Sequence, residues 1–149
     1  MLVKRGIPAA PGVAIAPALV FGLKDFRIPN QFTKVDAVES EIVRLHLALD
    51  HVCKELEEQQ QLVTERLGAQ FGAIFEAHLM MARDPKLIAD IEAKIRRRQY
   101  SPEFAASTVL RRHAKKLREL GSAYLSERAS DIFDLEKNLL RHLLDALHQ

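Results

Sequence analysis

His78 has the widest chemical range of any residue in this 149-residue sequence. It lies in the stretch AIFEAHLMMARDP, residues 73–85. Its ring could hold a hydrogen bond at the border of a core, contact a partner, or carry a phosphoryl group. A phosphoryl carrier needs backbone amides or arginines around it to hold the anion, whereas the nearby Glu76 and Asp84 are acidic. For metal chemistry the tidy helical pairs are His46 with Asp50 and Asp145 with His148. A di-metal site in a helical bundle takes two Glu-x-x-His repeats and two further glutamates, and the sequence has no such repeat. No glycine-rich phosphate loop or nucleophile elbow is present either. The expectation is therefore no catalytic residue, no metal ligand and no cofactor within this chain. Arg96-Arg97-Arg98 suits a solvated helix end, where cations offset the macrodipole. Cys53, the single cysteine, suits a half-buried apolar position and excludes an internal disulfide.

The elements that would position these residues are almost all helical. A long helix is expected from about Asp36 to Leu67, opened by a capping box of Asp36 and Glu39. Its apolar stripe runs through Val38, Ile42, Leu45, Leu49, Val52, Leu56 and Val63, with Gln59 in the one polar slot, a spacing suited to bundle packing. Gly68 and Gly72 around Phe71 mark a reversal. A short helix follows, with Ile74, Phe75, His78, Leu79 and Ala82 on its apolar face and Met80 and Met81 extending that surface. Met is pliable and common where a surface accepts a partner. The short helix stops at Asp84-Pro85. Pro85 then opens another helix with Leu87, Ile88, Ile91 and Ile95 as its buried row. Ser101-Pro102-Glu103 is a further start, for a helix turning Ala105, Val109, Leu117 and Leu120 inward and its basic residues outward. Gly121-Ser122 is a turn. A last helix from about Tyr124 buries Leu125, Ile132, Leu135, Leu139, Leu143 and Leu147. The fold class is thus mainly α: an antiparallel bundle of a long helix, a broken pair of short helices and two further long ones.

Charge and composition narrow the function classes. Apolar residues make up 48%, charged residues 28% and the net charge is +2, a soluble balance with no overall field favouring nucleic acid or membrane. No apolar run is long enough to span a bilayer. Acids dominate between Asp36 and Glu76 and bases between Lys94 and Glu119, as expected if the two halves pack side by side.

The first 33 residues differ. Lys4-Arg5 followed by GIPAAPGVAIAPALVF has the look of a signal peptide, but Pro8, Pro11, Gly12 and Pro17 break the apolar run that such a signal needs. Residues 13–21 read as an edge strand or extended arm, and residues 22–33 as a linker. Every later segment is helical, so this strand would have no partner within the chain. Such an unpaired edge is a template for self-association.

In this order, GIPAAPGVAIAPA, an acidic long helix, IFEAHLMMARDP and ERASDIFD (Glu127–Asp134) resemble the N-terminal part of the Enzyme I family. These are the phosphoenolpyruvate–protein phosphotransferases of bacterial sugar uptake. The resemblance implies two domains: residues 1–33 as the opening strand and linker of a swivelling α/β phosphohistidine domain, and residues 34–148 as an inserted helical domain that docks the small phosphocarrier HPr. It places the docking surface on Ala73, Glu76, His78, Met80, Met81, Asp84 and Leu87, with Glu127, Arg128 and Phe133 from the last helix. It implies a cytoplasmic protein. It puts the phosphorylated histidine in a T-S-H motif that this sequence lacks, and phosphoenolpyruvate and Mg²⁺ in a C-terminal barrel. The chain alone would then be inactive; a free-standing adaptor that binds an HPr-like carrier is the alternative. Two departures bear on partner choice. Ala69-Gln70-Phe71-Gly72 stands where relatives carry acids, and Phe133 stands where a base is frequent.

Overall fold

A computed structural model describes residues 28–148. The expected N-terminal strand, and the signal-like stretch with it, lie outside the described residues. A short 3₁₀ turn, Val35–Ala37, leads into five helices: α1 (Val38–Leu67), α2 (Ala69–Ala82), α3 (Pro85–Arg98), α4 (Pro102–Glu119) and α5 (Ala123–Asp145). A second 3₁₀ turn, Ala146–His148, follows α5. The most extensive contacts are between α1 and α2 and between α4 and α5, each pair joined by a short connection that reverses the chain. The two hairpins and α3 share one core, in which Leu45, Val52, Ile91, Ile95, Val109, Leu110, Leu139 and Leu143 are at most 1% exposed. The mainly helical bundle read from apolar spacing is the architecture observed.

The helix boundaries show which local signals are used. Ser101 and Ser122 cap α4 and α5, their hydroxyls accepting from the amides of Phe104 (3.2 Å) and Leu125 (3.1 Å). Asp84 caps α3, accepting from Lys86 N at 2.9 Å, with Pro85 in the first turn. The capping box expected at Asp36 and Glu39 is absent: Asp36 lies in the 3₁₀ turn, and Ala37 precedes α1 with no side-chain cap. Ser40 instead donates its hydroxyl back to Ala37 O at 2.8 Å. The stripe of α1 is buried from Ile42 to Leu56, with Ala48 added and Val38 packed at its edge. Val63 is only half-buried.

Two other details differ from expectation. The reversal after α1 takes one residue, Gly68, whose φ of +106° is open to glycine at little cost. Gly72 lies inside α2 and is buried there, because α2 crosses α1 so closely that a Cβ at Gly72 would stand 2.0 Å from Thr64 Oγ1. Leu120 and Leu147, expected inside, are 68% and 49% exposed. Both lie past the last turn of their helices, where no neighbour remains to cover them.

Ion pairs tie the helices together. Arg44 of α1 donates to Glu103 of α4 at 2.5 Å, to Glu41 at 2.6 Å and to the carbonyl of Leu143 on α5 at 2.9 Å. Glu103 therefore does more than sit near a helix N-terminus; it is buried against a charge from another helix. Burial works against the Arg44 charge, but the hydrogen bonds it donates to Glu103 and Glu41 outweigh that and hold its pKa above the ordinary guanidinium value. Arg111 of α4 forks onto the buried Glu136 of α5 with contacts of 3.1 Å. Residues 31–33, the end of the expected linker, lie across the α3–α4 junction. There Thr33 N donates to Gln99 O (2.8 Å), Ser101 N donates to Gln31 O (2.9 Å), and Phe32 meets Tyr100 edge-on.

Candidate functional site

The surface around α2 follows from how that helix is rotated. Contact through Gly72, Leu79 and Ala82 turns these three residues inward. A residue two positions on from Gly72 is about 200° around the helix, so Ile74 faces outward and is 63% exposed. The apolar face read from spacing is thereby divided: Ile74 stands out in water, while Phe75 and Met81 are the half-buried members that pack on the core. Met80 is 71% exposed and Phe71 46%. Burying a large apolar side chain is worth about 1.5–3 kcal/mol, and α2 leaves three of them in water on a single fourteen-residue helix.

Ile74 and Met80 each border an open groove. One, of about 510 Å³, runs between α2 and α5 and is lined by Ala73, Ile74 and Ala77 on one side and by Glu127, Arg128 and Asp131 on the other. The other, of about 830 Å³, lies at the end of α2 and takes in Glu76, Met80, Met81 and Asp84, with Gln60 across from them on α1. The residues expected at the site are thus brought onto adjoining surfaces by two helices far apart in sequence. Leu87 is the exception. It is 8% exposed, because the row that starts α3 points into the core; it supports the surface from beneath. Phe133 is half-buried against the core, with the Arg118 guanidinium 4.8 Å above its ring.

His78 is half-buried and bonded across the groove. Its Nε2 lies 3.1 Å from Asp131 Oδ1, while Arg128 donates to the other oxygen of Asp131 at 3.1 Å. Arg128 also lies over the Tyr124 ring, 5.0 Å from its centre. Donor atoms of His78, Asp131 and Asp134 lie within 4.8 Å of one another, the arrangement among the described residues that could hold a metal ion. Sequence spacing alone does not find it. His78 and Asp131 are far apart in the chain, and each local His–acid pair looks equally good. His46, for instance, turns to Glu92 of α3 at 2.5 Å rather than to Asp50. The exposure of Ile74 was similarly hidden, since its signal is the small residue at position 72 rather than Ile74 itself.

With this geometry in place, the chain can be set beside known proteins. The family described as PEP-utilising enzyme, N-terminal, matches residues 5–128. The phosphoenolpyruvate-protein phosphotransferase of Priestia megaterium is 36% identical over 140 residues. The proteins of the same description from Mycoplasma capricolum and Staphylococcus carnosus are 30% and 34% identical over the same length. In each case the match takes in 94% of this chain and 24% of the relative, so the chain spans about a quarter of their length. A solution structure of Enzyme I superposes with a TM-score of 0.77 at 30% identity, covering 82% of this chain and 49% of that one. Along most of its length and through its helical architecture, this chain belongs to the family of N-terminal regions of phosphoenolpyruvate-utilising enzymes, in the form found in Enzyme I.

Proposed function

We propose that the helical bundle is the docking module of a phosphoenolpyruvate–protein phosphotransferase and that it binds a small phosphocarrier protein of the HPr type. The observation that carries this reading is the apolar surplus of α2: Ile74 and Met80 stand in water beside open grooves. An apolar centre with a charged rim is the usual anatomy of a transient interface. Glu76, Asp84 and Glu127 supply an acidic rim, which fits a partner whose apolar face is bordered by basic residues. The rim steers the encounter and the apolar centre holds the complex. Ala73, Met81 and Arg128 complete the central surface, and Phe133 with its covering Arg118 forms its far border. Leu87 acts from below by fixing the start of α3.

The uncharged Ala69-Gln70-Phe71 turn, which opens α2, lowers the steering charge on that side. The carrier that fits here is one that relies more on apolar contact at this edge. In this reading the bundle acts by positioning the carrier for phosphoryl transfer. Service in sugar uptake within the cytoplasm follows from the same reading.

The test is an NMR titration of isotope-labelled protein with an HPr-type carrier. Shifts confined to Ala73–Asp84 and Glu127–Phe133, and weakened binding in Met80→Asp, are the expected result. A silent titration at millimolar carrier would exclude this partner. Shifts centred on α3 and α4 would move the interface elsewhere.

A further inference from the structure

Three ligand-type side chains converge where α2 meets α5. Asp131 and Asp134 stand three residues apart on α5, so they are neighbours on its surface. His78 reaches them from α2, and one donor atom of each residue lies within 4.8 Å of the other two. The 3.1 Å between His78 Nε2 and Asp131 Oδ1 is close to the separation of roughly 3.4 Å that two ligands keep on a tetrahedral zinc ion. Arg128 holds the second oxygen of Asp131 and so leaves Oδ1 turned toward His78. Metal ligands are commonly oriented by a restraint of this kind.

We propose that His78 Nε2, Asp131 Oδ1 and a carboxylate oxygen of Asp134 bind a divalent ion of the zinc class and so link α2 to α5. One imidazole with two carboxylates suits zinc or cobalt. Magnesium and calcium prefer all-oxygen shells of six or more ligands. Two carboxylates against one guanidinium leave a net negative site for the cation. Asp134 is exposed, so the fourth position opens to water. A bound ion would fix how α2 lies along the groove formed with Glu127 and Arg128. This site stands independently of the docking reading, because its donors and their geometry do not depend on any partner.

Zinc chloride titrated into the full chain by calorimetry, and cobalt(II) followed by its visible spectrum, test the proposal. The expected result is one site with tetrahedral cobalt bands and a zinc-dependent rise in Tm. Asp134→Asn and His78→Gln should each weaken binding at least about tenfold, the loss that even outer-sphere changes cause. His142→Gln, which alters a different histidine–carboxylate pair on α5 and α1, should leave the affinity unchanged. No heat at millimolar zinc, or an affinity indifferent to Asp134→Asn, would overturn the proposal. Asp134 is exposed, so that variant decides the matter even where His78→Gln fails to fold; circular dichroism checks both.

Discussion

Helices α2 and α3 are both fourteen residues long and follow one another across Asp84, yet they treat apolar surface in opposite ways. In α3, Leu87, Ile91 and Ile95 form one inward row, and the arginines at its end face solvent. In α2 the residues that face the core are mostly small, Gly72 and Ala82 with Leu79, while Phe71, Ile74 and Met80 face water. The first pattern stabilises the fold. The second leaves free energy available for a partner. A close helix crossing made by small residues is what allows the second pattern, since the larger side chains are not needed to fill the interface with α1.

The largest expected effect sets the two helices directly against each other. Ile95→Ala, at a site with no exposed surface, should lower unfolding stability by about 2–5 kcal/mol. Ile74→Ala should change it by no more than about 0.5 kcal/mol while weakening carrier binding. Urea titrations of both variants give the comparison, and equal losses would break it.

Next comes the crossing. Gly72→Ala should cost about 1–3 kcal/mol by overpacking against Thr64, despite the gain in helix propensity. Adding Thr64→Ala should recover most of the loss. Additive behaviour of the pair in a double-mutant cycle would show that Gly72 does not set the rotation of α2.

The junction between the two helices should matter less. Asp84→Ala removes the α3 cap at a cost of about 1 kcal/mol, and Asp84→Asn should keep most of the cap while losing rim charge. Thermal melts beside binding data separate these two roles; a stability loss in the Asn variant as large as in the Ala variant would contradict the cap.

The smallest effect lies away from both helices, at the contact between α1 and α5. Burial pushes the Glu55 pKa up, but His142 at 3.2 Å and Arg141 at 2.7 Å outweigh it and hold the carboxyl below its ordinary value. A carboxylate held low stabilises the fold above its unfolded pKa of about 4.3, and that contribution is lost as pH falls through the lowered value. The pair is partly exposed, so its worth is about 1 kcal/mol or less. The Tm difference between the parent and Glu55→Gln should therefore shrink as pH falls from 6 toward about 3. A gap that widens on acidification would reverse the sign.

The periodic stripes of Ile42–Leu56, Leu87–Ile95 and Ile132–Leu143, together with the serine cap at 101, were legible before any coordinates. Each depends on residues within a few turns of one another. The surface was legible as a stretch, residues 73–85, but its facing was not: Ile74, which spacing groups with Leu79 and Ala82, stands 63% exposed, whereas Leu87 keeps the inward place that spacing gave it. A window of sequence shows that one side of a helix is apolar, and it cannot say which of two apolar sides the neighbouring helix takes.

By itself, then, the sequence determined the helices, their order, the starts of α3 and α4, and the family to which they belong, because backbone propensity and capping act over short range. Tertiary structure alone decided the rotation of α2, set by the missing Cβ at Gly72, and the pairing of Arg44 with Glu103 across the core. It also decided the meeting of His78 with Asp131 and Asp134. Those contacts join residues more than fifty positions apart, and only the packing of one helix on another brings such groups to within bonding distance.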